Sequence, residues 1–590
     1  MELLYIYIKE YEGLVDSEFN FSPEYNIHFN RKTIILEVNK DNDWLDNFWG
    51  SNSIHSITGI VGKNGSGKTT LLRLLLRIGV DGAIYTEPEN IIIAYKRQSN
   101  SKKISLYIGK NLELKNKKDF EILNSTKHNK ISYIYHSNHF DPYNHPLDLT
   151  KNELVGMSNI GTNYLLLKDK ETYLNRSSDS RKFTFSKTVL LHKAMELRRH
   201  VNFIRKYKND KDVSFFKVPR YLVLKPDTEE EEWLRIHDDE QKREYSRKIS
   251  EHLSFVFNTD SSNRTQNEII RFLFIKSSIF NLINHSYSLS TSMVEIPEFL
   301  KQIKYLVLVM HELGDTESFY EKLLLKFPDL PFVIKNQIDL KNLFKLIAKH
   351  EIIPKRNVII IDLKQNEITV FNKFLNTHFT DDRSTSFIDI ELSHNKLQQT
   401  TPSSGELAMI NFFARLCSIK KTPLKNRLIF LLDEVELALH PEWQRKYINS
   451  VIHFLQKEFV NKKIQIIITS HSPFVVSDLP KNCLNLLNGN MENNENTFGA
   501  NIHSLYADSF FMKDGFIGEF AMNKIQNILD DLNTIGPFQK QRIREIGITI
   551  KLIGETFIKK ELLSMYNLRY NRENRLKELK KEMEELGGAI

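Results

Sequence analysis

The chain is poor in cysteine: its 590 residues include only Cys417 and Cys483. A framework of several disulfides is therefore excluded, and the scarcity fits a reducing cytosol. Long apolar runs are also missing. Leu428 to Leu432 and Leu306 to Met310 stop far short of the roughly 20 residues needed to cross a bilayer. No membrane span is expected, and the chain does not read as a transporter's membrane subunit. Met1 to Glu10 has no basic head, apolar core or small-residue cleavage site, so the expectation is a cytoplasmic protein without a secretory leader. Neither charge sign dominates. A formal net charge of +8 permits contact with nucleic acid without arguing for it. No internal repeat occurs, and no heptad run is long enough for an extended coiled coil.

Against these absences stands a hydrophobic content of 41%, enough for a folded core over a length that suggests more than one domain. Leu3 to Ile8 and Ile27 to Val38 are β-branched and aromatic with turn signals between, which predicts short antiparallel strands. Ile57 to Val61 is an apolar strand running into a glycine-rich loop, and Thr70 to Leu76 continues as helix. Leu428 to Leu432 and Ile464 to Ile468 suit strands buried on both faces of a parallel sheet, with Glu442 to Phe459 helical between them. The fold class is therefore α/β. From about Lys151 to Pro354 the pattern turns mainly helical. Leu190, Ala194, Leu197, Val201 and Ile204 recur at steps of four and three, and Ile269 to Ile283 and Leu340 to Ile347 are further candidates. Expected boundaries are 1–150 and 355–530 for two parts of one α/β head, 151–354 for a helical insertion and 531–590 for a helical tail. In the tail, Leu576, Leu579, Met583 and Leu586 make a stripe that either packs on its own domain or meets another subunit. The lysine-rich Lys96 to Lys118 and the acidic Asp227 to Glu232 read as solvated surface.

The chemistry starts at Gly62-Lys63-Asn64-Gly65-Ser66-Gly67-Lys68-Thr69, a full match to the phosphate-binding P-loop. Gly62, Gly65 and Gly67 let the backbone curl so that N–H groups around Asn64 and Ser66 face phosphate oxygens. The helix opening at Thr70 offers its positive N-terminus to the same anion. Lys68 would reach the β- and γ-phosphates of ATP, and the Thr69 hydroxyl would ligate Mg2+. Leu428 to Leu432 then delivers Asp433 and Glu434 to a strand's C-terminal end, where ligands gather in open α/β sheets. Asp433 would support the magnesium shell and Glu434 would act as general base on the attacking water.

Ser403-Ser404-Gly405-Glu406, just before a helix expected near Leu407, resembles the ABC signature in the Ser-x-Gly-Glu form of SMC-like and RecF-like ATPases. It lies some 30 residues before Asp433, as that family requires, with Pro402 where leucine is common. The resemblance implies a P-loop fold of ABC type with an N-terminal antiparallel β lobe and a helical insertion. It also implies that Ser403 touches a γ-phosphate held by another subunit, so that heads pair head to tail. Thr469-Ser470-His471-Ser472-Pro473 is similar to the switch-histidine segment, and Leu437 to Trp443 is similar to the loop that crosses the dimer seam. Ser137-Asn138 stands in place of the family's magnesium-sensing glutamine, which is itself missing. Gly499-Ala500-Asn501-Ile502-His503 and Asp514-Gly515-Phe516-Ile517-Gly518-Glu519-Phe520 look like the PtuA-type ATPases of bacterial Septu and retron defence systems. Members of that group work with a separate HNH nuclease. Two other classes remain open on sequence alone: a self-contained OLD-type nuclease, and a DNA-repair or chromosome-tethering ATPase. The first needs a metal-binding acidic domain after His471, where Asp530-Asp531 sits in a helical context. The second usually carries long coiled coils or a strong basic face.

Overall fold

The computed structural model describes residues 1–45, 47–50, 53–79, 88–97, 103–126, 131–138, 157–174, 185–207, 210, 216–226, 351–353, 358–364, 388–398, 400–419, 424–487, 496–508, 517–534, 539–570, 576 and 579–582. The chain divides into two compact units, Met1–Phe510 and Phe511–Ile590. In the first unit, a five-stranded sheet takes strands β1 (Glu2–Tyr11), β2 (Leu14–Asn20), β6 (Ile91–Lys96), β7 (Ile104–Ile108) and β8 (Glu121–Leu123). It is antiparallel except where β7 meets β8. The stretch Ile27 to Val38 proves to be a hairpin of two strands, β3 (Tyr25–Asn30) and β4 (Ile35–Lys40).

The central sheet has six strands, all parallel, in the order β10 (Met157–Asn159), β9 (Ile131–Ser137), β15 (Arg427–Asp433), β16 (Lys463–Ser470), β5 (Ile54–Gly62), β17 (Leu484–Leu487). Its apolar runs are continuous because both faces are covered. On one face Leu428, Phe430, Leu432, Ile464, Ile466 and Ile468 join the largest core. On the other, Ile429, Leu431 and Ile467 pack with Leu71, Leu72 and Leu75 of helix α1 (Lys68–Gly79) and with Leu3, Ile6 and Ile8 of β1.

Within 151–354 the helical expectation holds for α2 (Thr162–Leu174) and α3 (Phe185–Tyr207). Ala194, Leu197, Val201 and Ile204 are buried along one face of α3. Leu197, Val201 and Ile204 enter the same core as α4 (Ser404–Ser418) and α5 (Pro441–Glu458), so α3 is part of the head's packing. Three strands also lie in this stretch among the described residues: β10 of the central sheet and two strands of another sheet. β11 (Tyr221–Pro226) and β12 (Glu351–Ile353) belong to an antiparallel sheet of order β12–β13–β11–β14, with β13 (Val358–Asp362) and β14 (Ile388–Ser393). Leu222, Val223 and Leu224 are too short a run for a helical period and are buried on both sides of that sheet. The candidates Ile269 to Ile283 and Leu340 to Ile347, and the acidic run Asp227 to Glu232, lie outside the described residues.

Gln465 ties the two large sheets. It is the polar residue inside the apolar β16 run, and its side-chain amide acts as a third backbone. Nε2 donates to the carbonyls of Leu3 (2.8 Å) and Phe21 (3.0 Å), and Oε1 accepts from Leu3 N–H (3.3 Å).

Among its described residues the second unit is helical: α6 (Glu519–Asn533), α7 (Lys540–Leu552) and α8 (Thr556–Tyr570) enclose Ile528, Leu532, Ile546, Ile550 and Leu562. Arg569 donates to the carbonyls of Asp531 (3.0 Å) and Leu532 (2.6 Å), closing the C-terminal end of α6. Asp531 is paired with Arg542 at 2.6 Å, and Asp530 is exposed on α6. Of the tail stripe, Leu576 and Leu579 are exposed, while Met583 and Leu586 lie outside the described residues.

Replacing Gln465 with leucine keeps volume and removes three buried hydrogen bonds, of whose partners the Phe21 carbonyl keeps the Thr58 hydroxyl at 3.2 Å. The expected loss is about 2–4 kcal/mol, read as a lower urea midpoint; an unchanged midpoint would remove Gln465 as the tie.

Candidate functional site

The register of the parallel strands sets the site. Ser470 pairs with Val61, and Asp433 pairs with Thr469 on one side and Ser137 on the other. The C-terminal ends of β5, β16, β15 and β9 therefore finish in one line, with β16 standing between the P-loop strand and the Asp-Glu strand. Each side chain delivered there comes from a different part of the chain.

At β5 the loop turns through Gly65 (φ +75°) and Gly67 (φ +96°), in the left-handed region where a side chain is strained. A Cβ on Gly67 would also sit 2.6 Å from Leu14 Cδ2. Helix α1 starts at Lys68, so Thr69 and Thr70 occupy its first turn, directly after Asn64, Gly65 and Ser66. The Lys68 ammonium is buried and donates to the carbonyls of Gly62 (3.1 Å) and Lys63 (3.2 Å), holding the loop curled. The Ser66 hydroxyl is buried in the same cradle without a partner.

Asp433 is held by three hydroxyls. Thr469 donates to Oδ1 at 2.6 Å, Tyr135 to Oδ2 at 3.0 Å, and Thr69 lies 3.2 Å from Oδ2. Burial pushes the Asp433 carboxyl above its usual range, and the bonds from Thr469 and Tyr135 pull it back. The convergence of Thr69 Oγ1 and the Asp433 carboxylate fits a divalent cation, since both are hard oxygen donors.

Glu434 follows in a left-handed conformation (φ +48°), uncommon for a residue with a Cβ. Its N–H is fastened to the Thr469 carbonyl at 3.2 Å and hydroxyl at 3.1 Å, which stabilises the turn. The turn brings its Oε1 to 3.6 Å from Lys68 Nζ and 3.1 Å from His471 Nε2. The latter is a close approach without hydrogen-bond alignment. Lys68, Thr69, Asp433, Glu434 and His471 thus form one cluster.

Ser403, Ser404, Gly405 and Glu406 make no described contact with that cluster. The helix begins at Ser404, three residues earlier than expected, because Ser403 is its N-cap. Ser403 Oγ accepts from Glu406 N–H (3.3 Å), and Glu406 Oε2 accepts from Ser403 N–H (2.7 Å), a reciprocal capping box. His394, at the end of β14, approaches the same Glu406 oxygen at 3.2 Å. Gly405 rests on the segment after Glu434: a Cβ there would lie 3.1 Å from the Ala438 carbonyl and 3.2 Å from the Trp443 ring.

Asn138, directly after β9, is bonded to a histidine and to Thr162, and no described contact joins it to the cluster around Asp433 and Glu434. Burial and the nearby Arg415 press His136 down to about 3, so its ring is neutral and carries one N–H. Its nitrogens face the Ile160 carbonyl at 3.2 Å and the Asn138 amide at 3.1 Å. One N–H cannot serve two oxygens. Turning the Asn138 amide over gives the ring an N–H donor and uses the amide nitrogen that otherwise lacks a partner.

Sequence alone assigns no role to Tyr135, Glu436 or Arg415, and it gives Thr469 none beyond opening the histidine segment. Tyr135 lies in the aromatic run before Ser137, and Glu436 lies two residues past Glu434. Only their pairing distinguishes them. The stretch Thr497 to Asp508 packs behind the histidine segment. Thr497 donates to the Leu479 carbonyl (2.6 Å), Ser477 Oγ donates to the Ala500 carbonyl (2.9 Å), and Leu505 is buried against Val61 and Val476. Asp514 to Phe516 lies outside the described residues.

A P-loop at the end of one parallel strand, faced across an intervening strand by an Asp-Glu pair, defines a P-loop nucleotide-binding domain of the ATPase class. The chain belongs to the family described as "AAA domain, putative AbiEii toxin, Type IV TA system", whose model matches residues 57–477. It is similar to the "Retron Vc95 probable ATPase" of Vibrio cholerae serotype O1 biovar El Tor, with 33% identity over 93 residues, 15% of this chain and 17% of that protein. It is also similar to the "Retron Ec83 probable ATPase" of Escherichia coli, with 41% identity over 80 residues, 12% of this chain and 14% of that protein. These matches span less than a fifth of either relative. Among the described residues no helix is long and apolar enough to cross a membrane.

Lys68→Ala removes the charged donor aimed into the loop. ATP affinity in a direct titration is expected to fall by about 100-fold or more, and parental affinity would sink the assignment of this loop.

Proposed function

We propose that the chain is an ATP-hydrolysing regulatory subunit of a bacterial anti-phage defence complex. Its heads would be of ABC type and pair head to tail on ATP, governing a partner nuclease of the HNH type. The observation that carries the hydrolysis reading is the Glu434 carboxylate, set between Lys68 and His471 and next to the pinned Asp433. Lys68 would exchange the loop carbonyls for the β- and γ-phosphates. Mg2+, held by Thr69 and Asp433, would shield phosphate charge. Glu434 would take the proton from the attacking water, and His471 would hold that water and the γ-phosphate. The left-handed turn at Glu434 supports this role, because it aims the carboxylate away from the strand axis and toward the loop.

The dimer rests on the signature. Within one chain, the Ser403–Glu406 tip bonds to itself and to His394 and has no described bond to Lys68 or Thr69. A second copy related by twofold symmetry would bring Ser403 to the γ-phosphate. The defence role rests on the resemblance of Thr497 to Ala521 to PtuA-type ATPases and on the two retron relatives named probable ATPases, and the HNH partner on that resemblance alone. Septu-type organisation, the partner's docking on the helical regions and any contact with nucleic acid belong to this proposal.

Two experiments test it. Glu434→Gln keeps shape and loses basicity. It should bind ATP, turn over at least about 100-fold more slowly and accumulate as the ATP-bound dimer in size-exclusion runs; turnover at the parental rate would assign the base elsewhere. Mixing Lys68→Ala chains with Ser403→Arg chains should restore part of the ATPase activity, because a mixed dimer holds one doubly defective and one intact composite site. Verified mixed dimers without any recovery would count against sites shared between subunits.

A further inference from the structure

Two residues beyond the proposed base, Glu436 is completely buried on the short turn Val435–Ala438 that follows β15. Burial raises its carboxyl above the usual range, and the bonds it accepts pull it back. A buried carboxyl is costly unless its acceptor capacity is used. Here one oxygen takes both bonds. Oε1 accepts from the Ser470 hydroxyl at 2.5 Å and from the His471 backbone N–H at 3.2 Å. The same hydroxyl then accepts from Ser472 N–H at 2.9 Å, so residues 470–472 are gathered around one carboxyl oxygen. A second tie runs parallel to it. Gln444, in the first turns of α5, donates to the Leu439 carbonyl at 3.0 Å and accepts from the Ser472 hydroxyl at 2.7 Å. The segment after Glu434 and the segment carrying His471 are therefore joined at two points.

We infer that Glu436 is a positioning residue for hydrolysis: it fixes the backbone at His471, and so sets the place of the imidazole relative to Glu434. This rests on the hydrolysis reading above and adds a residue which that reading does not need for ATP binding. Glu436 touches neither the P-loop nor the reacting atoms in the described contacts, so its loss should act on turnover and leave nucleotide affinity alone. The chemistry required is an acceptor at Oε1. Glutamine supplies it; leucine, of similar volume, does not. Displacing a group by about 1 Å at such a site costs up to roughly 100-fold in rate.

The test uses the full chain. Glu436→Leu should lower kcat for ATP by about tenfold to 100-fold with KM within about twofold. Glu436→Gln should recover most of the parental kcat. Hydrogen exchange measured by mass spectrometry on the peptide covering Ser470–Ser472 should be accelerated in Glu436→Leu and close to parental in Glu436→Gln. Ser470→Ala, which removes the donor to Glu436 together with the acceptor for Ser472 N–H and introduces no bulk, should shift both readouts in the same direction. It carries the test if Glu436→Leu does not fold. Parental exchange and parental kcat in the leucine variant, or in Ser470→Ala where that variant is used, overturn the inference. Equal losses in the leucine and glutamine variants do so too. A parental chain without ATP turnover overturns the hydrolysis reading instead, and the exchange arm then still decides whether Glu436 fixes the segment.

Discussion

The site depends on one constraint, the register of four parallel strands. With Ser470 beside Val61 and Asp433 between Thr469 and Ser137, four strand ends stop together and their side chains converge. A one-residue slip would turn each side chain to the opposite face. The register is enforced by burial on both faces. Phe430 and Ile466 pack into one core while Ile429 and Ile467 pack into the other, so neither strand has a solvated side to slide onto. The left-handed turn at Glu434 costs on the order of 1–3 kcal/mol, and the two Thr469 bonds to its N–H offset part of that cost. Thr469 therefore serves twice, once for Asp433 and once for Glu434.

A second buried system links α4 to the rest of the head. Arg415, on α4, donates to Glu196 of α3 at 3.0 Å and to Thr162 Oγ1 at 3.0 Å. Glu196 is also held by Arg199 at 2.9 Å, and Arg199 by Asp169 of α2 at 2.7 Å. Two guanidinium groups thus face two carboxylates. Burial works against the charge on Glu196, but Arg415 and then Arg199 outweigh it and hold the carboxyl below its usual range. Desolvating each ion costs several kcal/mol, so such a network is weak evidence for stability. What it does supply is geometry: Thr162 lies within reach of the Asn138 carbonyl at 3.2 Å, which connects α4 to the end of β9. Helix α4 and Asn138 are thereby parts of one hydrogen-bonded frame.

The sequence carried the local features well. The P-loop was legible because its glycines, lysine and threonine act within eight consecutive residues. The strand before Asp433 was legible because an apolar run of that length has few alternatives next to a charged pair. The start of α4 was misplaced by three residues, because the capping box at Ser403 and Glu406 closes the helix earlier than its apolar pattern suggests. Strand β11 stood in a stretch read as mainly helical, since three buried apolar residues acquire a period only from their partners on β13 and β14.

Residue chemistry therefore determined by itself that this chain has a phosphate loop, an Asp-Glu pair and a histidine at the end of an apolar strand. Tertiary structure alone decided that Thr69 and Tyr135 meet Asp433, across 364 and 298 residues of chain. It also decided that Glu436 faces Ser470 rather than solvent, and that Arg415 is spent on Glu196. The physical reason is the same in each case. A hydroxyl or carboxyl has no partner preference that its neighbours in sequence can reveal, and its role is set by which strand ends and helix faces the packed sheet brings within hydrogen-bond reach.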